Sequence, residues 1–221
     1  MQKFATPGPV FVNLDIPAGS VRVIAADRTD TLVEIAPADA SKRRDVKAAG
    51  QTEVGFRDGV LRIATADAHR LLGSGALRVT IEVPAGSRVE GRAGAAELHT
   101  TGRLGEVAFE GGYRAVSVEE AASAHLKVHA GDVHVARLTG PAQIRTGQGD
   151  ITVAEAHAGR VEVRTDQGDL SVAAAHGVSG ILDAATSCGR IGNALRNSEG
   201  GGAGLTIKAT TSQGDITASS L

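Results

Sequence analysis

Four aspartates carry the first suggestion of chemistry in this 221-residue chain. Asp132, Asp150, Asp169 and Asp215 each follow a glycine and precede an alternating apolar pair. Carboxylates repeated at one structural position could form an oxygen-rich stripe for a hard cation, because stacked like charges repel unless something neutralises them. The same Gly-Asp step has a plainer use at a turn. Glycine supplies a positive φ, and aspartate accepts a nearby backbone N–H. The strict Gly-Gly-x-Gly-x-Asp calcium-roll repeat is absent. Turn chemistry is therefore the expectation, and the four aspartates remain candidates for a cation.

Seven residues beyond the aspartates, His157 and His176 fall in step. Two imidazoles one repeat apart could share a transition metal, although two ligands fall short of the usual three or four. Cys188 stands where other repeats carry Gln148, Gln167 and Gln213. A thiolate nucleophile needs a base beside it and an electropositive setting, and the repeat offers neither. Arg190 replaces aspartate in the same copy and is expected inside the acidic column, where it would neutralise its neighbours. There is no Gly-x-Ser-x-Gly, no P-loop and no His-Glu-x-x-His. Carboxylates spread one per turn are not gathered in a cleft, so the chain reads as a non-enzyme with no cofactor.

The elements that position these residues are short strands around tight turns. Thr146-Gly-Gln-Gly-Asp150, Thr165-Asp-Gln-Gly-Asp169 and Thr211-Ser-Gln-Gly-Asp215 share one phrase, and Thr186-Ser-Cys-Gly-Arg190 is a degenerate copy. Alternating apolar residues flank each phrase, such as Ile144 before and Ile151 and Val153 after. Aligned positions Glu97, Ala115, Asp132, Asp150, Asp169, Arg190 and Asp215 recur every 17 to 25 residues. That spacing predicts an all-β parallel β-helix or β-solenoid of about seven rungs. The Thr and Gln columns read as packing and ladder positions within it.

Residues 1–87 read as a β-rich cap on repeats spanning 88–221. Val10 to Ile35 suggests short antiparallel strands, with Pro17 and Pro84 as strand terminators. Asp39 to Ala49 suggests one helix stopped by Gly50, and Asp58-Gly59 a hairpin turn. A loop with His69 is expected over 66–75. The iterated apolar-x-apolar-x-Thr-x-x-Gly-Asp-apolar-x-apolar pattern, with Pro-Ala-Gly-Ser at 17–20 and 84–87, resembles the bacterial "putative adhesin" β-strand-repeat family. The resemblance runs from about Val10 to the end. It implies a β-solenoid or β-roll and carries over no catalytic residues.

Aromatics are 2 % of the chain, so burial must come from Val, Ile, Leu and Ala, which suits thin layered β structure. A net charge of −2 with acids and bases interspersed argues against nucleic acid. One cysteine, no apolar leader and no membrane-length apolar run predict a cytoplasmic protein without a membrane span. The function expected is a non-catalytic scaffold or interaction protein, with envelope-stress signalling among the settings it would fit. Ile216 to Leu221 would form an open terminal edge that takes a second copy or a partner's strand. The alternative is a cation- or glycan-binding groove along the Asp/Gln edge, with a carbohydrate-active enzyme behind it.

Overall fold

The computed structural model describes residues 1–66 and 75–221, so the segment expected to carry His69 lies outside it. The chain is all-β and solenoid-like, and it divides into two compact units, Met1–Arg114 and Ala115–Leu221.

The first unit contains β1 (Gln2–Ala5), β2 (Phe11–Ala26), β3 (Asp30–Pro37), α1 (Arg43–Gly50), β4 (Thr52–Arg57), β5 (Val60–Thr65), β6 (Leu77–Pro84) and β7 (Arg88–Gly111). Residues 88–111, read from the sequence as the first repeats, lie in this unit and pair with β2. From Phe11, β2 runs parallel to β5 and to the start of β7. From Gly19 it runs parallel to β6 and to the continuation of β7. The chain thus changes sheet in mid-strand, at Pro17-Ala-Gly-Ser. Short antiparallel strands ended by Pro17 are not what forms here. At a corner residue 17 owes no ladder N–H, so proline is tolerated inside one bent strand. Gly19 makes the corner at φ 129°, where a Cβ would strike the backbone of Leu77.

Among the described residues antiparallel pairing is confined to β1–β3, β3–β6 and β4–β5. The β4–β5 hairpin turns at Asp58 and Gly59, both with positive φ, as an Asp-Gly turn of this kind requires. The Phe4 and Phe56 rings meet at 5.5 Å and bring β1 and β4 together. The helix starts at Arg43, later than expected. Asp39 instead closes a local turn, accepting from the Ser41 hydroxyl and N–H at 2.7 and 3.0 Å.

The second unit contains β8 (Val116–Ala130), β9 (Val133–Leu138), β10 (Ala142–Gln148), β11 (Ile151–Ala156), β12 (Gly159–Gln167), β13 (Leu170–Ala174), β14 (Gly180–Cys188), β15 (Ile191–Ala194), β16 (Leu205–Gln213) and β17 (Ile216–Ser220). Among the described residues all its pairings are parallel. One sheet runs β8 (its second half), β10, β12, β16, β14. The other runs β8 (its first half), β9, β11, β13, β17, β15. The inward residues expected from the alternation are buried, including Leu126, Ile144, Val163 and Ile207 in one sheet and Val118, Val135, Val153 and Val172 in the other. Each such side chain contributes about 2 kcal/mol, but only once a neighbouring rung covers it.

Stack order departs from chain order. The last-made rung, β16/β17, is threaded between β12/β13 and β14/β15. Ile216–Ser220 is therefore paired on both sides and is not the open edge that chain order suggests. Its Leu205, Ile207, Ile216 and Ala218 are buried, whereas β15 is exposed throughout. The rung with the poorer apolar set lies outermost, which minimises exposed apolar surface.

Candidate functional site

The repeated phrase builds one edge of the second unit. At each turn the aspartate carboxylate accepts the backbone N–H of the equivalent residue one rung on. Asp132 Oδ1 takes Asp150 N–H at 2.9 Å, Asp150 takes Asp169 at 2.8 Å, Asp169 takes Asp215 at 2.7 Å, and Asp215 takes Arg190 at 2.8 Å. The threonine side chains reach the other way, back to the preceding rung of the stack. Thr146, Thr165, Thr211 and Thr186 donate to the carbonyls of Gly131, Gly149, Gly168 and Gly214 at 3.1–3.2 Å. The glycines sit at positive φ, 145° at Gly168, with the carbonyl of Gly149 where a Cβ would go. Each residue type in Thr-x-x-Gly-Asp thus has a defined task in joining rungs.

Arg190 is at the end of this column, not inside it. Cys188 contributes its carbonyl, to Gly214 N–H at 2.9 Å, and its side chain is exposed. The degenerate copy is degenerate because it ends the stack, where no further amide needs a carboxylate. Gln148, Gln167, Gln213 and Cys188 align in register with exposed side chains.

The histidines are less well aligned. His157 N–H donates to Leu138 carbonyl, and the matching bond on the next rung comes from Ala175, to Ala156. A register shift between Val153 and Ala156 leaves β13 one residue short of β11. Ala175 therefore occupies the position equivalent to His157, and His176 lies one residue further on. His157 Nε2 is buried 3.2 Å from Glu155 Oε1, without hydrogen-bond alignment. Glu155 is itself held by Arg137 Nε at 3.0 Å. Among the described residues no three His, Cys, Asp or Glu side chains gather closely enough to hold a metal ion.

A polar groove that the sequence did not signal lies on the first unit. Register sets Ser20 beside Arg78 and Glu97, and Arg22 beside Thr80 and His99, on the outer face of β2, β6 and β7. These six residues line a shallow depression of about 500 Å³. Only strand pairing across 77 residues brings Arg22 to His99, and no local spacing encodes that.

Fold and edge chemistry together define a parallel, solenoid-like repeat protein whose recurring polar phrase fastens rung to rung. The chain belongs to the Toastrack DUF4097 family, which matches residues 12–220. Among solved structures it is similar to one described as a "putative adhesin" from Bacteroides fragilis. That likeness has 11% identity, covers 98% of this chain and 95% of that one, and has a TM-score of 0.60. It is also similar to a "putative adhesin" from Parabacteroides distasonis, at 12% identity, 98% and 95% coverage and a TM-score of 0.46. No curated protein matches the chain. No helix among the described residues is long and apolar enough to cross a membrane.

Proposed function

We propose that this protein is a non-catalytic interaction protein that works through the open rung formed by β14 and β15. The observation that carries this reading is the unfinished state of that rung. Among the described residues β14 pairs only with β16 and β15 only with β17, and Ile191 keeps 47% of its surface exposed. An exposed edge with apolar residues at the end of a core is the surface on which another strand adds. The commitment of Asp132, Asp150, Asp169 and Asp215 to neighbouring amides supports the non-catalytic half of the reading, since acid–base work needs carboxylates aimed at a substrate.

Site-specific photo-crosslinking in the native host tests it. A crosslinker at Ala185 or Asn193 should trap a discrete protein species, while one at Thr152, on an outer sheet face, should not. Equal labelling from all three positions, or none from any, sinks the proposal.

A further inference from the structure

We infer that the occupant of the open rung is a second copy of this chain, docked head to head so that β14 pairs with the copy's β14 and β15 with its β15. This rests on the interaction reading above and names its partner.

The geometry of the end argues for it. Two edges are open at once, one in each sheet, and stacked sheets lie about 10 Å apart. A single added strand can satisfy only one of them. A partner that satisfies both must present two edges at the same spacing, and a second copy does so by construction. The edges carry little of the usual protection against such pairing beyond the one charge of Asp183 and the shortness of β15. β14 reads Gly-Ile-Leu-Asp-Ala-Ala-Thr-Ser-Cys and β15 Ile-Gly-Asn-Ala, with no lysine, arginine or proline in either. The partly exposed Leu182 and the exposed Ile191 would become covered, as their equivalents Ile207 and Ile216 are one rung deeper.

Two arrangements with two-fold symmetry would bring these ends together, and length and charge choose between them. With the axis normal to the sheets, β14 meets β14 over Ile181 to Ser187, Gly180 N–H being already taken by Arg196 carbonyl, and the four residues of β15 meet four. With the axis along the strands, β14 would have to meet the shorter β15. Charge points the same way. Arg190 marks the turn after β14. Near the start of β14 lie Arg196, whose carbonyl takes Gly180 N–H at 3.1 Å, and Glu199, whose N–H reaches Ser179 Oγ at 3.3 Å. That corner carries one acid and one base, so it is neutral overall. The first arrangement sets it against Arg190 of the copy, twice by symmetry. The second sets Arg190 against Arg190, which is repulsive. The rung end measures about 30 by 20 Å, or ~600 Å² per partner, which places the pair in the weak, reversible class.

The test is the mass of the full chain by light scattering across concentration, with variants. The expected result is a rise from one chain mass towards two. Ile191→Lys, at a position already exposed in the single chain, should weaken association about tenfold or more. Arg190→Glu or Glu199→Arg alone should weaken it, and the double exchange should restore it. Ala184→Cys in a Cys188→Ser background should oxidise to a covalent dimer, since residue 184 is the centre of β14 and meets its own copy across the axis, whereas the natural Cys188 should not. A constant single-chain mass overturns self-pairing, as does association indifferent to Ile191→Lys and to the charge exchange. If the chain stays single while crosslinks from residue 185 reach a different protein, self-pairing is lost and the interaction reading stands. If no crosslink forms either, both are lost.

Discussion

The side chain of Asp150 meets two neighbours at once: its Oδ1 accepts Asp169 N–H at 2.8 Å, and its own N–H is accepted by Asp132 at 2.9 Å. Removing the carboxylate strands an amide at the turn, so Asp150→Ala should cost about 1–2 kcal/mol in urea unfolding. The control is Arg190→Asp. No amide lies beyond that residue to be accepted, so stability should move by no more than about 0.5 kcal/mol. A cost at Arg190 similar to that at Asp150 would refute this account of the staple. Gly168→Ala should exceed both, at roughly 3 kcal/mol or more, because φ 145° and the Gly149 carbonyl both oppose a Cβ. The same geometry bears on cations. One oxygen of each aspartate is already committed, and a hard ion needs six to eight oxygens. Millimolar calcium should leave the melting midpoint where it is, and a rise of several degrees would revive the cation stripe.

At the scale of elements, ion pairs fasten β1 to β3 where ladder bonds are few. The Lys3 ammonium, 2.9 Å away, and then the Arg28 guanidinium, 2.7 Å away, hold the Asp30 carboxyl below its ordinary value of 3.8. A depressed carboxyl stabilises the fold above its unfolded value, and the effect is lost as pH falls through the lower folded value. Carbon-13 titration of Asp30 should therefore show a midpoint below 3.8 that climbs in Lys3→Gln. An unchanged midpoint would remove Lys3 from the account. Much of this level was legible in the sequence. Alternation placed Leu126, Ile144, Val163 and Val172 inside, and Asp58-Gly59 marked its hairpin, because both are local signals of period two or of positive φ. Stack order was not legible. Parallel rungs with one phrase are interchangeable as neighbours, so the pattern gives register without saying which rung lies beside which. Nor could the His157/His176 offset be seen, since it comes from a single-residue slip between β11 and β13. The hint for stack order was in the exceptions: Cys188 and Arg190 mark a terminal repeat, and terminal repeats are atypical.

Across the whole second unit, threading β16/β17 inside β14/β15 sets an order on stability. Val161 pairs with Ile207 across 46 residues, so the chain between them must loop out while the later rung docks. Long-range closure of this kind is slow and costs entropy before any contact forms. The β14/β15 rung gains its only ladder partner once β16/β17 is in place, and it buries little of its own side-chain surface. Native-state hydrogen exchange should therefore run against chain order. Ladder amides of β16 and β17 should be as protected as those of β12 and β13, and those of β14 and β15 should open first. Deleting 205–221 should leave β14 and β15 without partners, and protection should then vanish from both while β10 and β11 keep theirs. The contrary pattern would be fast exchange at β17 with slow exchange at β15. It would mean that the rungs stack in the order in which the chain makes them, and that the open end carries Ile216, not Ile191.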